Sequence, residues 1–598
     1  MPMKHIATPN SDDDAKQASL SAQALDQSLH ASLSKLTSGL SPVSLALAYT
    51  DWAMHLSQSP GFRSQLARSA IAKGLDALSH SVPPSPWTHG DEPTPDAISV
   101  SDARFKSPDW TSWPFNSWVS GFKAAEQWWQ EATDVPGVTR HNKEVVNFFA
   151  RQWLDMLSPS NWPVSPEVLH ASQHSNGQNL VKGAQNFLDD WRELKGLPPL
   201  DHNQKETFKP GKNVAITEGQ VVYRNHLCEL IQYAPTTPHV HAEPLLIVPS
   251  WVMKYYILDL SPHNSMVRYL VEQGHTVFMI SWHNPDKSDA HLGLNDYVHE
   301  GVFSALQAIG KLCPKQAVHT MGYCLGGTLL AIAAARLAGD HPLAEWADIP
   351  PIKTLTLLAA EVDFTEPGEM GVFIDPAQVR QLMDTMAEQG FLTGKQMGGS
   401  FQFLHSRDLI WSRQMHEYLL GERTQPNDLM AWNADVTRMP ATMHGEYLTK
   451  LFIDNELAEG RYEVDGEAVS LKDIRVPMMV VSTEKDHVSP WKSVYKINRL
   501  TDSELTFVLA SGGHNAGIVS EPGHPHRHYR IKTAPAMAPW MTPEEWLAEN
   551  PPKDGSWWPD WQNWLAQHSS AQVKARSIPA SKALYPAPGH NVMVCYAD

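Results

Sequence analysis

The sequence predicts an α/β protein in which a parallel sheet is covered by helices on both faces and is preceded by a mainly α N-terminal domain. Beyond about residue 214, short β-rich runs alternate with helical runs. The β-rich runs are almost continuously apolar, which is typical of strands buried on both faces. Before about residue 200, apolar residues recur at helical spacing instead. The predicted strands lie within residues 244–250, 275–282, 316–324, 352–364, 476–486 and 503–510.

The N-terminal part begins with a polar segment. Residues 1–20 contain three consecutive aspartates and few apolar side chains, so we predict a disordered tail. From residue 22 to 78 the apolar spacing is helical, with breaks at Ser41-Pro42 and Ser59-Pro60. These features predict helices that are joined by turns.

A Pro-rich segment at 81–96 predicts a loop or linker. Amphipathic runs at 121–134 and 144–157 predict two further helices. We therefore predict a helical N-terminal domain over 21–205 and a catalytic domain over 206–598.

One connection between predicted strands is unusually long. About 110 residues separate the strand that ends near residue 364 from the strand that begins near residue 476, against a usual connection of roughly 2 to 6 residues plus one helix. Its runs 407–422 and 425–440 have helical patterns. We predict an inserted cap at about 365–470, where it could act as a lid over an active site.

The composition excludes several classes of protein. A net charge of −18 repels phosphate backbones and argues against nucleic acid as the main partner. The N-terminus lacks the pattern of a secretory signal, and no run approaches the ~18 apolar residues of a membrane span. We therefore expect a cytoplasmic protein with no transmembrane segment.

Its cysteines are far apart in sequence, which predicts reduced thiols and neither a disulfide framework nor a metal site. They are Cys228, Cys313, Cys324 and Cys595.

The strongest chemical signal is the tract Gly322-Tyr323-Cys324-Leu325-Gly326-Gly327. An apolar strand precedes it and a helical run follows it, and this arrangement exposes a nucleophile at the carboxyl edge of a sheet. Glycines are needed because the turn is tight and the helix packs closely. We predict an α/β-hydrolase fold with Cys324 as the nucleophile. The alternative is a buried structural cysteine, which is common for free thiols.

A nucleophile of this kind requires an acid and then a histidine later in the chain. Asp486 ends a predicted strand, and His514 lies 28 residues further on, after the last predicted strand. Both can therefore reach the sheet edge that carries Cys324. We predict that His514 accepts the thiol proton and that Asp486 fixes its tautomer. His487 competes for the role of base, although an extended backbone would direct its side chain away from that of Asp486.

The oxyanion of an acyl-transfer reaction needs backbone donors beside the nucleophile. We predict the N–H of Leu325 as the first donor and that of Val252, in the tract Pro249-Ser250-Trp251-Val252, as the second. A thioester on Cys324 would stay activated for the next nucleophile, so sulfur favours acyl transfer over hydrolysis.

Several tracts between about residues 100 and 590 resemble the polyhydroxyalkanoate synthases, most closely the class I type. They are NGQNLVKG (176–183), LCELIQYAPTT (227–237), KYYILDLSPHNSMVRYLVEQGHTVFMISWHNPD (254–286), GYCLGG (322–327), DHVSPW (486–491), GGHNAGI (512–518) and GSWWPDW (555–561). The tract PSWV differs from the PPWI or PPFI that is more familiar in that family, and residues 1 to about 100 match weakly.

The resemblance implies polymerisation of (R)-3-hydroxyacyl-CoA into polyester with release of CoA, on a triad of Cys324, His514 and Asp486. It leaves open whether His514 or Asp486 activates the elongating hydroxyl. It also implies a homodimer, a cap that opens for substrate, and a location on polyester granules with phasin-type partners. The CoA thioester is the substrate, and no cofactor is expected.

Two other functions stay open on the residues alone. One is an α/β-hydrolase that cleaves esters, thioesters or the polymer, and the other is a non-catalytic granule-coat protein. The tryptophans at 128, 129 and 153 fit either helix packing or docking to a granule, with packing favoured. The cluster of Trp557, Trp558, Trp561 and Trp564 predicts packing against the catalytic domain.

Overall fold

The structure is a computed structural model that describes residues 40–79, 102–198, 208–340, 344–404, 410–423 and 425–594. Two compact units divide these residues. One contains Leu40 with the described residues of 208–398 and 427–598, and the other contains those of 41–207 and 399–426. The predicted tail at 1–20, the linker at 81–96 and Cys595 lie outside the described residues.

The first unit is built on one large mixed sheet. Its strands are β1 Gly219–Arg224, β2 Cys228–Tyr233, β3 Leu245–Val248, β4 Val277–Trp282, β5 Val318–Tyr323, β6 Ile352–Leu358, β7 Met478–Thr483, β8 Leu505–Ala510, β9 His528–Ala534, β10 Lys553–Asp554 and β11 Tyr585–Pro586. Their spatial order is β10-β9-β8-β7-β6-β5-β3-β4-β2-β1-β11. Each of the six runs predicted from sequence contains one of the strands β3 to β8.

Six adjacent strands, β8-β7-β6-β5-β3-β4, run parallel to one another. Most of them are buried along their whole length, which explains their continuous apolar runs. The strands outside this block pair antiparallel, so the sheet is mixed rather than wholly parallel. The parallel block brings the carboxyl ends of β5, β6, β7 and β8 to one edge.

Helices cover the sheet of the first unit and form the long connection between β6 and β7. They are α7 Met266–Glu272, α8 Ser304–Leu312, α9 Leu325–Ala338, α10 Pro376–Gln389, α11 Gly394–Leu404, α12 Asp428–Ala434, α13 Ala441–Glu446, α14 Trp491–Tyr495, α15 Ile497–Leu500, α16 Pro543–Glu549 and α17 Trp558–Gln567. Two π-helical segments, Tyr297–Phe303 and Tyr447–Ile453, extend this set. None of the described helices has the length and apolarity that a bilayer crossing requires.

The second unit is helical. Its helices are α1 Pro42–Ser57, α2 Pro60–Ser79, α3 Phe115–Thr133, α4 Arg140–Leu157, α5 Pro166–His174 and α6 Gln178–Leu194. The breaks predicted at Ser41-Pro42 and Ser59-Pro60 are the starts of α1 and α2, since proline is favoured in the first turn of a helix. Arg104 joins three parts of this unit through Asp102, Glu126 and Asp155 at 2.8, 2.7 and 3.2 Å.

The described residues of 399–426, which include the end of α11, belong to the helical unit, although the sequence assigned them to the cap insertion. Asn179 donates its side-chain amide to the Leu419 carbonyl at 2.8 Å, and Asn186 donates to the Glu417 carbonyl at 2.9 Å. A Cβ added at Gly183 would lie 1.9 Å from the Tyr418 carbonyl oxygen. The NGQNLVKG tract therefore packs against this segment, and a lid function for 365–470 stays a prediction.

The C-terminal residues complete the fold of the first unit. The indoles of four tryptophans are buried in its main core, which confirms their predicted packing; they are Trp557, Trp558, Trp561 and Trp564. In the helical unit, by contrast, Trp153 is 61% exposed. Strand β11 pairs with β1 at the sheet edge. Lys254 Nζ donates to the Val592 carbonyl at 2.7 Å, which fixes the segment that follows β11.

Candidate active site

Cys324 stands at a sharp turn between β5 and α9. Its backbone has φ 52° and ψ −127°, a strained conformation that L-residues adopt mainly where surrounding contacts enforce it. The Cys324 N–H donates to the Leu358 carbonyl at 2.8 Å, which joins the turn to the end of β6. Cys324 is partly exposed, whereas Cys228 and Cys313 are buried.

The glycines around Cys324 are required by close contacts with backbone. A Cβ at Gly322 would lie 2.4 Å from the Cα of Gly327, and one at Gly327 would lie 2.6 Å from the Cβ of Ala360. A Cβ at Gly326 would lie 2.4 Å from the carbonyl oxygens of Val248 and Pro249. The motif is therefore a packing requirement of the turn, as the sequence predicted.

We expect Gly326→Ala to destabilise the protein by at least ~1–3 kcal/mol, because rigid backbone surrounds the added methyl group. Thermal unfolding measures the effect. Gly398→Ala is the control, since nothing lies within 4 Å of a Cβ there and alanine is favoured over glycine in a helix by up to ~1 kcal/mol. Equal unfolding temperatures for the two variants would contradict this explanation of the motif.

His514 and Asp486 meet at the same sheet edge. His514 Nδ1 lies 2.8 Å from Asp486 Oδ2, and the Asp486 side chain is fully buried. The other carboxylate oxygen, Oδ1, accepts the backbone N–H groups of Val488 and Ser489 at 3.0 and 2.8 Å. The competing His487 is exposed. The carboxylate is thus held by backbone donors while it orients the His514 ring.

Cys324 lies close enough to the His514 ring to affect its charge. Burial alone would lower the pKa of His514, but the neighbouring Asp486 and Cys324 raise that pKa well above the usual histidine value. A protonated imidazole beside sulfur stabilises a thiolate. The structure thus brings together the three residues that the sequence selected.

Two tryptophans of the GSWWPDW tract hold the loop that carries His514. Trp557 Nε1 donates to the Gly517 carbonyl at 3.1 Å, and Trp558 Nε1 donates to the Ile518 carbonyl at 2.9 Å. Within the same loop, Asn515 Oδ1 accepts the Tyr323 hydroxyl at 2.5 Å. These positioning contacts were not predictable from the sequence, because the partners lie far apart in the chain.

Glu361 is a further carboxyl group at this edge that the sequence analysis missed. It follows β6 by three residues, and its side chain is buried with no hydrogen-bond partner for Oε1 among the described residues. The Glu361 carbonyl accepts the Thr328 hydroxyl at 2.7 Å, which fixes it against α9. Burial, reinforced by Asp486 and Cys324, raises the pKa of Glu361 well above the usual glutamate value. A neutral Glu361 therefore avoids a further buried negative charge beside Asp486. The sequence feature that could have identified Glu361 is its position, as an acidic residue just beyond an apolar strand.

We expect Glu361→Gln to stabilise the protein at alkaline pH relative to the intact chain. Because the pKa of Glu361 is raised on folding, its neutral form contributes stability below the pKa of the unfolded chain, and that contribution is lost as pH rises through the folded pKa. Urea midpoints should therefore diverge in favour of the variant as pH increases. The exposed Glu463→Gln is the control, and parallel pH curves for Glu361→Gln and the intact protein would contradict the neutral state.

The two predicted oxyanion donors have different surroundings. Leu325 is the first residue of α9, a position whose N–H has no acceptor within the helix. The Val252 N–H donates to the Ser250 hydroxyl at 3.3 Å. The Pro249 carbonyl accepts the Trp282 indole at 2.8 Å and also packs against Gly326, so this loop is fixed beside the turn. Val252 stays a prediction.

Three family models match the chain. One, described as Poly-beta-hydroxybutyrate polymerase (PhaC) N-terminus, matches residues 101–270. Another, described as Poly-beta-hydroxybutyrate polymerase N terminal, matches residues 20–61. The third, alpha/beta hydrolase fold, matches residues 243–521 and agrees with the sheet order above. The predicted fold is confirmed.

Relatives of known name are similar over most of their length. The Poly(3-hydroxyalkanoate) polymerase of Methylorubrum extorquens is 38% identical over 496 residues, 82% of this chain and 80% of the relative. The Poly(3-hydroxyalkanoate) polymerase subunit PhaC of Cupriavidus necator is 35% identical over 510 residues, 82% of this chain and 83% of the relative. Among solved structures, the Paleococcus ferrophilus monoacylglycerol lipase is 12% identical with a TM-score of 0.31, covering 57% of this chain and 99% of the lipase.

Proposed function

This chain belongs to the poly(3-hydroxyalkanoate) polymerases, and from that premise we propose that it is an acyltransferase that converts (R)-3-hydroxyacyl-CoA into polyester through an acyl-enzyme on Cys324. One observation carries the assignment of the site. It is the cysteine at a strained sheet-edge turn, beside a histidine whose ring a buried aspartate orients.

In the proposed first step, the Cys324 thiolate attacks the carbonyl carbon of the CoA thioester. A new carbon–sulfur bond forms to Cys324 and the bond to the CoA sulfur breaks. The departing CoA thiolate takes the proton held by the His514 imidazolium, so His514 becomes neutral. The acyl group passes from one thioester to another, a nearly isoenergetic exchange that keeps it activated.

In the proposed second step, neutral His514 removes the proton from the 3-hydroxyl of a growing chain or monomer. The hydroxyl oxygen attacks the acyl-Cys324 carbonyl, an ester bond forms and the bond to Cys324 breaks. The imidazolium and thiolate are thereby restored for the next cycle. Each cycle lengthens the polyester by one unit.

The surroundings of Asp486 favour His514 as the base for the hydroxyl. Asp486 Oδ1 accepts two backbone N–H groups, and Oδ2 is bonded to His514 and, at 3.3 Å, to the Thr483 hydroxyl. A buried carboxylate with both oxygens engaged has little capacity to accept a proton from substrate. We assign it the positioning of His514.

The proposed oxyanion donors are the N–H groups of Leu325 and Val252. The dipole of α9 also favours negative charge at its first turn. Val252 can serve only when its N–H turns from the Ser250 hydroxyl toward substrate. Preorganised donors of this type contribute roughly 10²–10³ in rate each.

Incubation with (R)-3-hydroxybutyryl-CoA tests the proposal when thiol release and product mass are followed together. Polymerisation releases one CoA per monomer and yields polyester of high mass. A hydrolase would release CoA at the same time as free 3-hydroxybutyrate without polymer, and a granule-coat protein would release neither. Either of the last two outcomes contradicts the proposed function.

The homodimer, the location on polyester granules and the phasin-type partners are proposals that come from the family alone. Sedimentation of the purified protein measures its oligomeric state. Partition of the protein between soluble and granule fractions, during polymer formation, measures its association with polyester. A monomer at all concentrations would contradict the dimer.

A further inference from the structure

Two histidines and an aspartate converge on the surface of the first unit, apart from the residues of the proposed triad. His226 lies in the turn between β1 and β2, His283 directly follows β4, and Asp289 ends a short 3₁₀ helix. His226 Nε2 lies 2.6 Å from Asp289 Oδ1, and His283 Nε2 lies 3.1 Å from Asp289 Oδ2. One ligand atom from each residue lies within 4.8 Å of the other two.

We propose that His226, His283 and Asp289 bind a divalent transition-metal ion, with Zn²⁺ as the best match. Two imidazole nitrogens and a carboxylate oxygen are a donor set that suits zinc rather than magnesium or calcium. Bonds of about 2.0–2.2 Å separate tetrahedral ligand atoms by roughly 3.3–3.6 Å, so small outward movements of the rings would admit the ion.

The backbone around the three residues is already fixed. Asp289 Oδ2 accepts the Asp286 N–H at 2.8 Å in a capping box, which orients the carboxylate. The His283 N–H donates to the Leu227 carbonyl at 2.8 Å, next to His226. Asn225 Oδ1 accepts the N–H of Leu227 and of Cys228 at 3.0 and 2.8 Å, which shapes the β1–β2 turn. Supporting hydrogen bonds of this kind hold metal ligands in register.

The exposure of these side chains indicates that solvent could reach a bound ion and occupy one of its coordination positions. The Asp289 side chain is 1% exposed, whereas that of His226 is 58% exposed. A carboxylate at the base of the cluster and a histidine at its rim leave the fourth tetrahedral position to solvent. His226 and Asp289 lie 63 residues apart in the chain. An ion bound by both would therefore link the β1–β2 turn to the segment after β4.

Titration of chelator-treated full-length protein with ZnCl₂, followed by calorimetry, tests the proposal. We expect a site with one ion per chain and a higher unfolding temperature when it is filled. His226→Ala and His283→Ala should each weaken binding by at least about 10-fold and remove the rise in unfolding temperature. The control is His291→Ala, which alters an exposed histidine bonded to the Ser288 carbonyl and should leave binding unchanged.

Co²⁺ provides a second readout that does not depend on stability. Binding at the proposed cluster should give visible absorption of a cobalt site with nitrogen and oxygen ligands, without the strong near-ultraviolet band of a thiolate ligand. A thiolate band would assign the ion to a cysteine site instead and overturn the proposal. Equal titrations of the intact protein and of the double variant His226→Ala/His283→Ala would also overturn it, and would leave the three residues as hydrogen-bond partners only.

Discussion

Cys324→Ala is expected to lower CoA release from (R)-3-hydroxybutyryl-CoA by at least ~10⁴-fold and to abolish polymer, as removal of a covalent nucleophile does in other acyl-transfer enzymes. The substitution deletes one sulfur atom and leaves the glycine contacts of the turn intact. The variant should therefore keep the unfolding temperature of the intact protein to within a few degrees. CoA release is followed with a thiol reagent, and polymer by product mass.

Cys313→Ala is the matched control for this prediction. It removes a buried thiol at the end of α8 and should retain CoA release and polymer formation. Cys324→Ser is a third variant to compare. An ester on serine is a poorer acyl donor than a thioester on cysteine. It should acylate slowly and elongate more slowly still. Polymer formation by Cys324→Ala would contradict the acyl-enzyme.

Asp486→Asn has the second-largest expected effect, a loss of about 10⁴-fold in turnover, which is typical when the orienting aspartate of a triad becomes an amide. The amide would present an N–H to His514 Nδ1 or lose the bond, so the ring would no longer be held in its working tautomer. The loss of the carboxylate should also lower the pKa of His514, which Asp486 raises. The pH dependence of the His514 ring resonances measures this lower pKa.

Rapid quenching separates the two roles that the family resemblance leaves open for Asp486. If Asp486 positions His514, the initial burst of CoA and the later elongation should fall together. If Asp486 is itself the base for the hydroxyl, the burst should persist while elongation fails. Glu484→Gln is the control. Glu484 also follows β7, but its Oε2 lies 3.1 Å from Nε2 of a different histidine, His528. It should leave both phases unchanged.

The parallel core of the sheet was predictable because its strands are long and buried on both faces. Continuous apolar runs such as 476–481 mark such strands, whatever the rest of the chain does. The shortest antiparallel strands were missed for the opposite reason. Strands of two residues, such as Lys553–Asp554 and Tyr585–Pro586, have no periodicity to detect, and their pairing depends on partners far away in the chain.

The triad was predictable because chain order and the glycine motif constrain it. Glu361 was not selected, since its importance depends on the neighbouring charges of Cys324 and Asp486, which meet it only in the folded protein. The cluster of His226, His283 and Asp289 was missed in the same way, because a turn and two loops bring it together. The assignment of residues 399–426 depended on a packing partner in α6 that sequence spacing does not reveal.

The edge strand β11 has a consequence for synthesis of the protein. Strand β1 leaves the ribosome more than 350 residues before its partner Tyr585–Pro586, and the buried Glu229 meanwhile lacks the Tyr585 hydroxyl and the His590 N–H that it accepts in the finished fold. Translation at about 5–20 residues per second keeps this edge open for tens of seconds. Nascent chains therefore expose an unpaired strand edge throughout that interval, and chaperone protection of this edge is most valuable until β11 has been made.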